Sequence, residues 1–307
     1  MGVALTAATI IVAASAGIFS ELRWRERAGR VARSTLVAVL YVLLPIITFF
    51  NLAHAHINVD DGVGLALAYV AIGAAASVAY LVATRLLDLP RSSVGAVVTC
   101  AMVANTGYLG YPLIVALLGS HQLGKGVIYD VIVSAPVLLI GAFAVGAAFG
   151  EKAGEGVGDR VKAFFTRNPP LYAAIAALLA PDSLAPNVLV DASRVLVVAI
   201  LPLGFFAVGT LLAEESEDGA LAFPPPLSPG AATAVVARMA IVPGLLFGLS
   251  APLIDLPGPY LLMAAMPCGI NSLLVGHVYG LDMKIIAQAI TWSTTFAVLG
   301  ALASLAF

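Results

Sequence analysis

Two short stretches carry the polar side chains that could bind a ligand. They are Asn105-Thr-Gly-Tyr-Leu-Gly-Tyr-Pro112 and Met266-Pro267-Cys-Gly269-Ile-Asn271-Ser272, and each lies in the middle of an apolar run. A neutral amide can donate to a carboxylate without the desolvation cost of a buried cation. We therefore predict that Asn105 and Asn271 contact a small anion. The alternative is that the two amides only cap the ends of broken helices.

Proline and glycine should break the helix in each stretch. Pro112 lacks a backbone N–H and its ring clashes with the carbonyl four residues earlier, so we expect the ladder to open around Tyr108. Within hydrocarbon, freed backbone groups persist only against protein or a water-lined cavity. We predict an unwound binding segment, with a kinked helix healed by its neighbours as the alternative. The candidate binding residues are Asn105, Thr106, Gly107, Gly110, Pro112, Pro267, Cys268, Gly269, Asn271 and Ser272.

The composition is that of an integral membrane protein. Of 307 residues, 61% are hydrophobic and 10% are charged, and the mean hydropathy is +1.03. A soluble domain carries roughly 25% charged residues. The net charge of −2 gives no reason to expect a nucleic acid partner. Cys100 and Cys268 lie in apolar runs, where we expect small buried hydrophobic side chains rather than a disulfide or a metal site.

Ten apolar runs are close to the roughly 20 residues that span a bilayer. They cover residues 3–19, 35–55, 63–87, 94–118, 127–149, 169–186, 188–212, 229–251, 258–280 and 284–306. The sixth is the weakest because prolines start and interrupt it, and a re-entrant segment there would leave nine. With the N-terminus outside, the inner loops hold twelve lysines and arginines and the outer loops hold only Lys125 and Arg194. This distribution predicts that both termini lie outside the cytoplasmic membrane.

Three ionisable side chains inside the runs need separate interpretations. Arg238 falls near the middle of the eighth run, where a cation costs at least about 2.5 kcal/mol. We favour a structural brace that pairs with a carboxylate or a helix C-terminus, with attraction of the anion as the alternative. Asp130 should be a solvated carboxylate near the outer end of the fifth helix, and His277 a packed or interfacial side chain. A coupling role is the alternative for both.

Neither metal binding nor catalysis is indicated. His54, His56, Asp60 and Asp61 crowd one loop, but their spacing matches no tight metal site. No Ser/His or paired-aspartate arrangement on a helix would support hydrolysis within the membrane. We therefore expect no metal, no cofactor, no catalytic residue and no enzyme.

The two halves of the chain resemble each other. Leu44-Pro45 followed by Phe49-Phe50 in the second run matches Leu201-Pro202 followed by Phe205-Phe206 in the seventh. The interrupted fourth and ninth runs also correspond. Five helices per half is an odd number, so the second half must enter the membrane in the opposite sense. We predict an all-α membrane protein of two inverted five-helix repeats, residues 1–150 and 169–307, joined by a cytoplasmic linker over 151–168.

The interrupted stretches, together with Tyr279-Gly280-Leu-Asp282 and the segment from Arg238 to Pro243, resemble the auxin efflux carrier (AEC) family. That family includes the plant PIN-type exporters and short bacterial carriers of organic acids. The resemblance covers nearly the whole chain, although the long hydrophilic insert of many PIN members has no counterpart. It implies that the fourth and ninth helices cross near mid-membrane at Pro112 and Pro267.

The resemblance implies a secondary carrier that moves a small organic anion across the membrane by alternating access. A sodium-coupled symporter of the bile-acid type is an alternative. We rank it lower because the broken helices contain no carboxylate. A membrane ligand sensor that kept the carrier fold without flux is another. The expected partners are a small organic anion, the lipid bilayer and, as one option, a second copy of the chain in a homodimer.

Overall fold

The computed structural model describes residues 3–53, 58–151, 169–215 and 226–303. The regular elements of these residues are helical. In chain order they are α1 (Val3–Trp24), α2 (Glu26–Leu52), α3 (Val59–Leu86), α4a (Arg91–Met102), α4b (Thr106–Leu117), α5 (Ser120–Phe149), α6 (Pro169–Leu179), α7 (Asn187–Glu215), α8 (Pro229–Ser250), α9a (Gly258–Ala264), α9b (Asn271–Tyr279) and α10 (Met283–Ala303).

Seven of these helices are long and apolar enough to cross a membrane: α1, α2, α3, α5, α7, α8 and α10. They match seven of the ten apolar runs, and the prediction of a multi-pass helical membrane protein is confirmed. The fourth and ninth runs are each split into two helices. The sixth run gives α6, whose 11 residues are fewer than the roughly 20 that span a bilayer. Ten spans therefore stay a prediction.

Short local signals set several helix ends. Asn58 and Asp61 form a capping box at the start of α3, in which the Asp61 N–H donates to Asn58 Oδ1 at 2.9 Å and the Asn58 N–H donates to Asp61 Oδ2 at 2.8 Å. The Ser228 hydroxyl accepts from the Ala231 N–H at the start of α8. Gly280 ends α9b with a φ of 71°, a conformation that glycine adopts without steric cost.

The breaks in α4 and α9 are only partly where the sequence predicted them. The α9 break covers the residues between Ala264 and Asn271, so Pro267 and Gly269 lie in it as expected. The prediction for α4 was wrong. The helix ends at Met102, the non-helical residues are 103–105, and Pro112 lies inside helix α4b.

Proline is accommodated by a wider helical turn. A π-helical stretch ends two residues before Pro45, Pro112, Pro136 and Pro243. A proline ring clashes with the carbonyl four residues earlier and offers no N–H to it. A π turn pairs residues five apart, so it relieves this conflict while the helix continues. For this reason Pro112 widens α4b instead of breaking it.

The helices pack into two groups. The four-helix group consists of α1, α2, α6 and α7, in which α1 packs along α7 and α6 packs along α2. Gly17 and Gly209 allow the backbones of α1 and α7 to touch, because a Cβ at either glycine would overlap the other helix. The six-helix group consists of α3, α4a/α4b, α5, α8, α9a/α9b and α10. Both broken helices belong to this second group.

Candidate functional site at the crossing of the broken helices

The two breaks cross and bind each other through their backbones. Ala104 and Cys268 form an isolated antiparallel bridge. The Asn105 N–H donates to the Pro267 carbonyl at 2.9 Å, and the Gly269 N–H donates to the Val103 carbonyl at 2.8 Å. The crossing therefore involves Pro267, as the resemblance implied. Pro112 is eight residues from Ala104, so its expected place at the crossing was wrong.

Arg238 joins the ends of the two half-helices that lead into the crossing. Its side chain is fully buried in α8. Nη1 donates to the Met102 carbonyl at 3.2 Å, and Nη2 donates to the Ala264 carbonyl. These carbonyls lie at the C-terminal ends of α4a and α9a, where a helix dipole is negative. Arg238 therefore has the kind of partner that the brace interpretation predicted, a helix C-terminus, in two helices instead of one. Its role as a brace stays a prediction.

The amide of Asn105 is buried at the crossing without a partner. Its exposed fraction is 3%, and neither Nδ2 nor Oδ1 makes a hydrogen bond to the described residues. It precedes α4b, yet its side chain does not cap that helix. The capping alternative therefore fails for Asn105. An unpaired buried amide costs free energy, so the position is suited to an added hydrogen-bonding group.

Asn271 occupies the matching place at the start of α9b. It is the first residue of that helix, and its side chain is partly exposed. The preceding residue, Ile270, is apolar and supplies no side-chain cap. The N-terminal ends of α4b and α9b therefore both begin next to an amide. The positive dipole end of each helix favours a negative group there. In α9b the Ser272 and Leu273 N–H groups already donate to the Gly269 and Ile270 carbonyls.

Asp130 of α5 faces the start of α4b, which the sequence prediction missed. Its Oδ1 accepts a hydrogen bond from the Thr106 hydroxyl, and its Oδ2 accepts one from the Tyr111 hydroxyl at 2.9 Å. The side chain is partly buried, so the predicted solvated interfacial carboxylate is wrong. The broken helices themselves hold no carboxylate, but the neighbouring helix brings one to the break.

The π turn of α4b makes this contact possible. Thr106 and Tyr111 are five residues apart, which in an α-helix would turn their side chains about 140° from each other. In the π turn over Thr106–Gly110, residues five apart stack on one face. Both hydroxyls can then reach one carboxylate. Pro112 favours the wider turn and therefore helps to align the two hydroxyls that donate to Asp130.

The other predicted site residues serve packing or lie elsewhere. A Cβ on Gly110 would lie 2.6 Å from Met263 Sδ, and one on Gly269 would lie 2.7 Å from the Ala104 carbonyl, so both glycines permit close approach of α4 and α9. The buried Cys268 donates its N–H to Ser293 of α10 at 3.1 Å. Ser272 is buried in α9b. His277 is exposed in the last turn of α9b, away from the crossing.

The start of α4b lies against the four-helix group. A Cβ on Gly107 would meet Leu44 of α2 at 3.8 Å, and one on Gly204 of α7 would overlap the Tyr108 ring. The polar residues around Asn105 therefore lie near the boundary between the two groups of helices.

The structure shows the surroundings of the two cysteines and of Asp61. Cys100 and Cys268 are free and buried. Asp61 is buried and pairs with Lys125 at 2.7 Å. Among the described residues, no three His, Cys, Asp or Glu side chains group together as metal ligands would. His54 and His56 lie outside the described residues.

The chain is similar to a protein of Methanocaldococcus jannaschii that is named as an uncharacterized transporter. The two are 27% identical over 233 residues, which cover 72% of this chain and 70% of the relative. No protein-family model matches the chain, so membership of the auxin efflux carrier family stays a prediction. The likeness and the seven apolar helices together support a multi-pass membrane transporter.

Proposed function

We propose that the protein is a secondary carrier of small organic anions that works by alternating access around the crossing of α4 and α9. It is a member of the auxin efflux carrier family in this proposal, built as two inverted repeats over residues 1–150 and 169–307. Both termini lie outside the cytoplasmic membrane. The transporter likeness also makes an enzyme the less favoured class.

The packing of the helices supports the inverted repeats. If α1 to α5 correspond to α6 to α10, the contact of α1 with α7 corresponds to that of α6 with α2, and both are made. The contacts of α4b with α5 and of α9b with α10 form another such pair. The bridge between the two breaks is its own counterpart. Carriers with this symmetry bind their substrates between the repeats, at discontinuous helices.

The observation that carries the anion proposal is the unpaired amide of Asn105 beside the start of α4b. At the same crossing, Arg238 neutralises the negative ends of α4a and α9a. The positive ends of α4b and α9b remain without a side-chain cap. A carboxylate placed there would accept from the side-chain amides of Asn105 and Asn271 and would face the positive ends of the two helices.

The test begins with thermal unfolding of the purified protein in acetate, lactate, malonate, succinate, malate, citrate or benzoate. A ligand at one hundred times its Kd should stabilise the folded state by about 2.7 kcal/mol. Uptake of that ligand into proteoliposomes then separates a carrier from a sensor, which would bind without flux. Absence of any shift across the panel would contradict the anion proposal.

Substitutions at Asn105 and Asn271 test the contact itself. Aspartate adds a negative acceptor, and repulsion at about 4 Å reaches about 4 kcal/mol at an effective dielectric of 20. We expect Asn→Asp to weaken binding more than tenfold, and Asn→Ala to weaken it by about 1–3 kcal/mol. Asn51→Ala is the matched control, because Asn51 is equally buried but donates to Ile47 and Ser193. Binding by the Asp variants equal to that of the wild type would remove both residues from the site.

A further inference from the structure

We propose that Asp130 binds a proton together with the anion, so that the carrier is driven by a proton gradient. This inference rests on the proposed function and adds its coupling ion. Asp130 lies within the α5 span, and its carboxylate faces the first residue of α4b. A carboxylate inside a membrane span is costly unless a counter-charge balances it or a proton neutralises it. Where neither is present, the carboxylate marks a functional site.

No cation neutralises Asp130 in the described part of the chain. The ion pairs there are Arg33–Glu214, Lys125–Asp61 and Arg194–Asp191. Arg238 is engaged by the carbonyls of α4a and α9a. Among the described residues, Asp130 is thus a carboxylate without a balancing positive charge.

Within residues 3–53, 58–151, 169–215 and 226–303, the titratable groups that face Asp130 are tyrosines. Tyr111 donates to it, and Tyr108 and Tyr129 lie within electrostatic range. From α3, the Tyr69 hydroxyl donates to the Ile132 carbonyl, one turn or less along α5. From α6, the titratable side chain among Pro169–Leu179 is Tyr172, which is exposed. Neutral hydroxyls can solvate the carboxylate, but they do not remove its charge.

The position of Asp130 links its charge to anion binding. An ionised Asp130 already places a negative charge at the start of α4b, beside the amide that is proposed to hold the anion. A second negative group there is repelled, and a proton on Asp130 removes the repulsion. Anion binding must then favour proton binding to the same extent, because the coupling between two ligands is reciprocal.

A proton fits this site better than a sodium ion does. The carboxylate oxygens are occupied by hydroxyl groups that point their hydrogens at them. A metal cation would have to displace those hydrogens and gather further oxygen ligands. A proton needs a single acceptor oxygen, and a hydroxyl can switch from donor to acceptor by rotation without movement of its oxygen.

The experiment measures the affinity for each carboxylate of the panel between about pH 6 and pH 8, calculated on the concentration of its fully ionised form, because the last carboxyl groups of the polycarboxylates still bind protons at the acidic end of this range. We expect wild-type affinity to fall with rising pH, by up to about tenfold per pH unit for one linked proton. Asp130→Asn should bind with a pH-independent affinity close to that of the wild type in acid. The control is Asp282→Asn, which alters a carboxylate that accepts from Ser93 and should keep the wild-type pH profile.

Infrared spectroscopy gives a second measurement that needs no ligand. In a difference spectrum between about pH 6 and pH 8, where ordinary carboxyls stay ionised, the band of a protonated carboxylic acid should appear in the wild type and be lost or weakened in Asp130→Asn. The same pH profile in both proteins, or affinity that follows sodium concentration at constant pH, would overturn the proton proposal and leave the anion carrier intact. If no carboxylate of the panel binds at any pH, the proposed function fails, and the infrared band alone decides whether Asp130 takes up a proton.

Discussion

Replacement of Arg238 by methionine tests whether the guanidinium holds the broken helices together. Arg238→Met removes the hydrogen bonds to Met102 and Ala264, and each bond from a charged donor contributes about 1.5–3 kcal/mol. Both together contribute about 3–6 kcal/mol. Methionine recovers about 2.5–3.5 kcal/mol, since no cation then has to lie inside the membrane. The expected net effect is a loss of about 1.5 kcal/mol in the free energy of unfolding.

The assay is denaturant unfolding in mixed detergent micelles, with ligand affinity measured on the folded variant. Affinity should fall as well, because the ends of α4a and α9a are no longer held beside each other. Arg194→Met is the matched control, since Arg194 pairs with a largely exposed Asp191 and should change stability by less than about 1 kcal/mol. If Arg238→Met keeps both wild-type stability and wild-type affinity, Arg238 does not hold α4a and α9a together.

Two further predictions concern the crossing and the orientation of the chain. Gly269→Ala should lower the melting temperature, because the added Cβ would lie 2.7 Å from the Ala104 carbonyl. Gly107→Ala should be neutral or slightly stabilising, because its added Cβ would have only ordinary contacts. Equal effects of the two substitutions would contradict the close approach at Gly269. A cysteine at Asp60 should react with an impermeant reagent added outside intact cells and one at Glu151 should not, and the reverse labelling would invert the orientation.

Hydropathy and proline content predicted much of the fold because they act locally. Seven apolar runs form helices long and apolar enough to cross a membrane, and α9 is broken around Pro267 as expected. The effect of Pro112 was misjudged because a proline can either break a helix or widen one turn of it. Which of the two occurs depends on whether a π turn can pack against the neighbouring helices. The local sequence does not contain this information.

The candidate site was predictable where one residue type allowed few outcomes. A buried Arg238 needed acceptors, and helix C-termini were one of the two predicted kinds of partner. The surroundings of Asp130 were predicted wrongly because the sequence gives its position along α5 but not the neighbouring helix that its side chain faces. The contact of Asp130 with both hydroxyls depends on the π turn that aligns Thr106 with Tyr111. Hydropathy does not predict a π turn.

The bridge between Ala104 and Cys268 has a mechanical consequence. Two backbone hydrogen bonds join the breaks, so separating them would leave two N–H groups and two carbonyls unpaired in an apolar interior, at a cost of several kcal/mol. Sliding one break past the other therefore has the higher free-energy cost, because it would break both hydrogen bonds. Displacement of both breaks as one body, carried by the six-helix group along the four-helix group, preserves every bond of the joint. A carrier built this way would expose its site to either side by moving the joint and not by opening it.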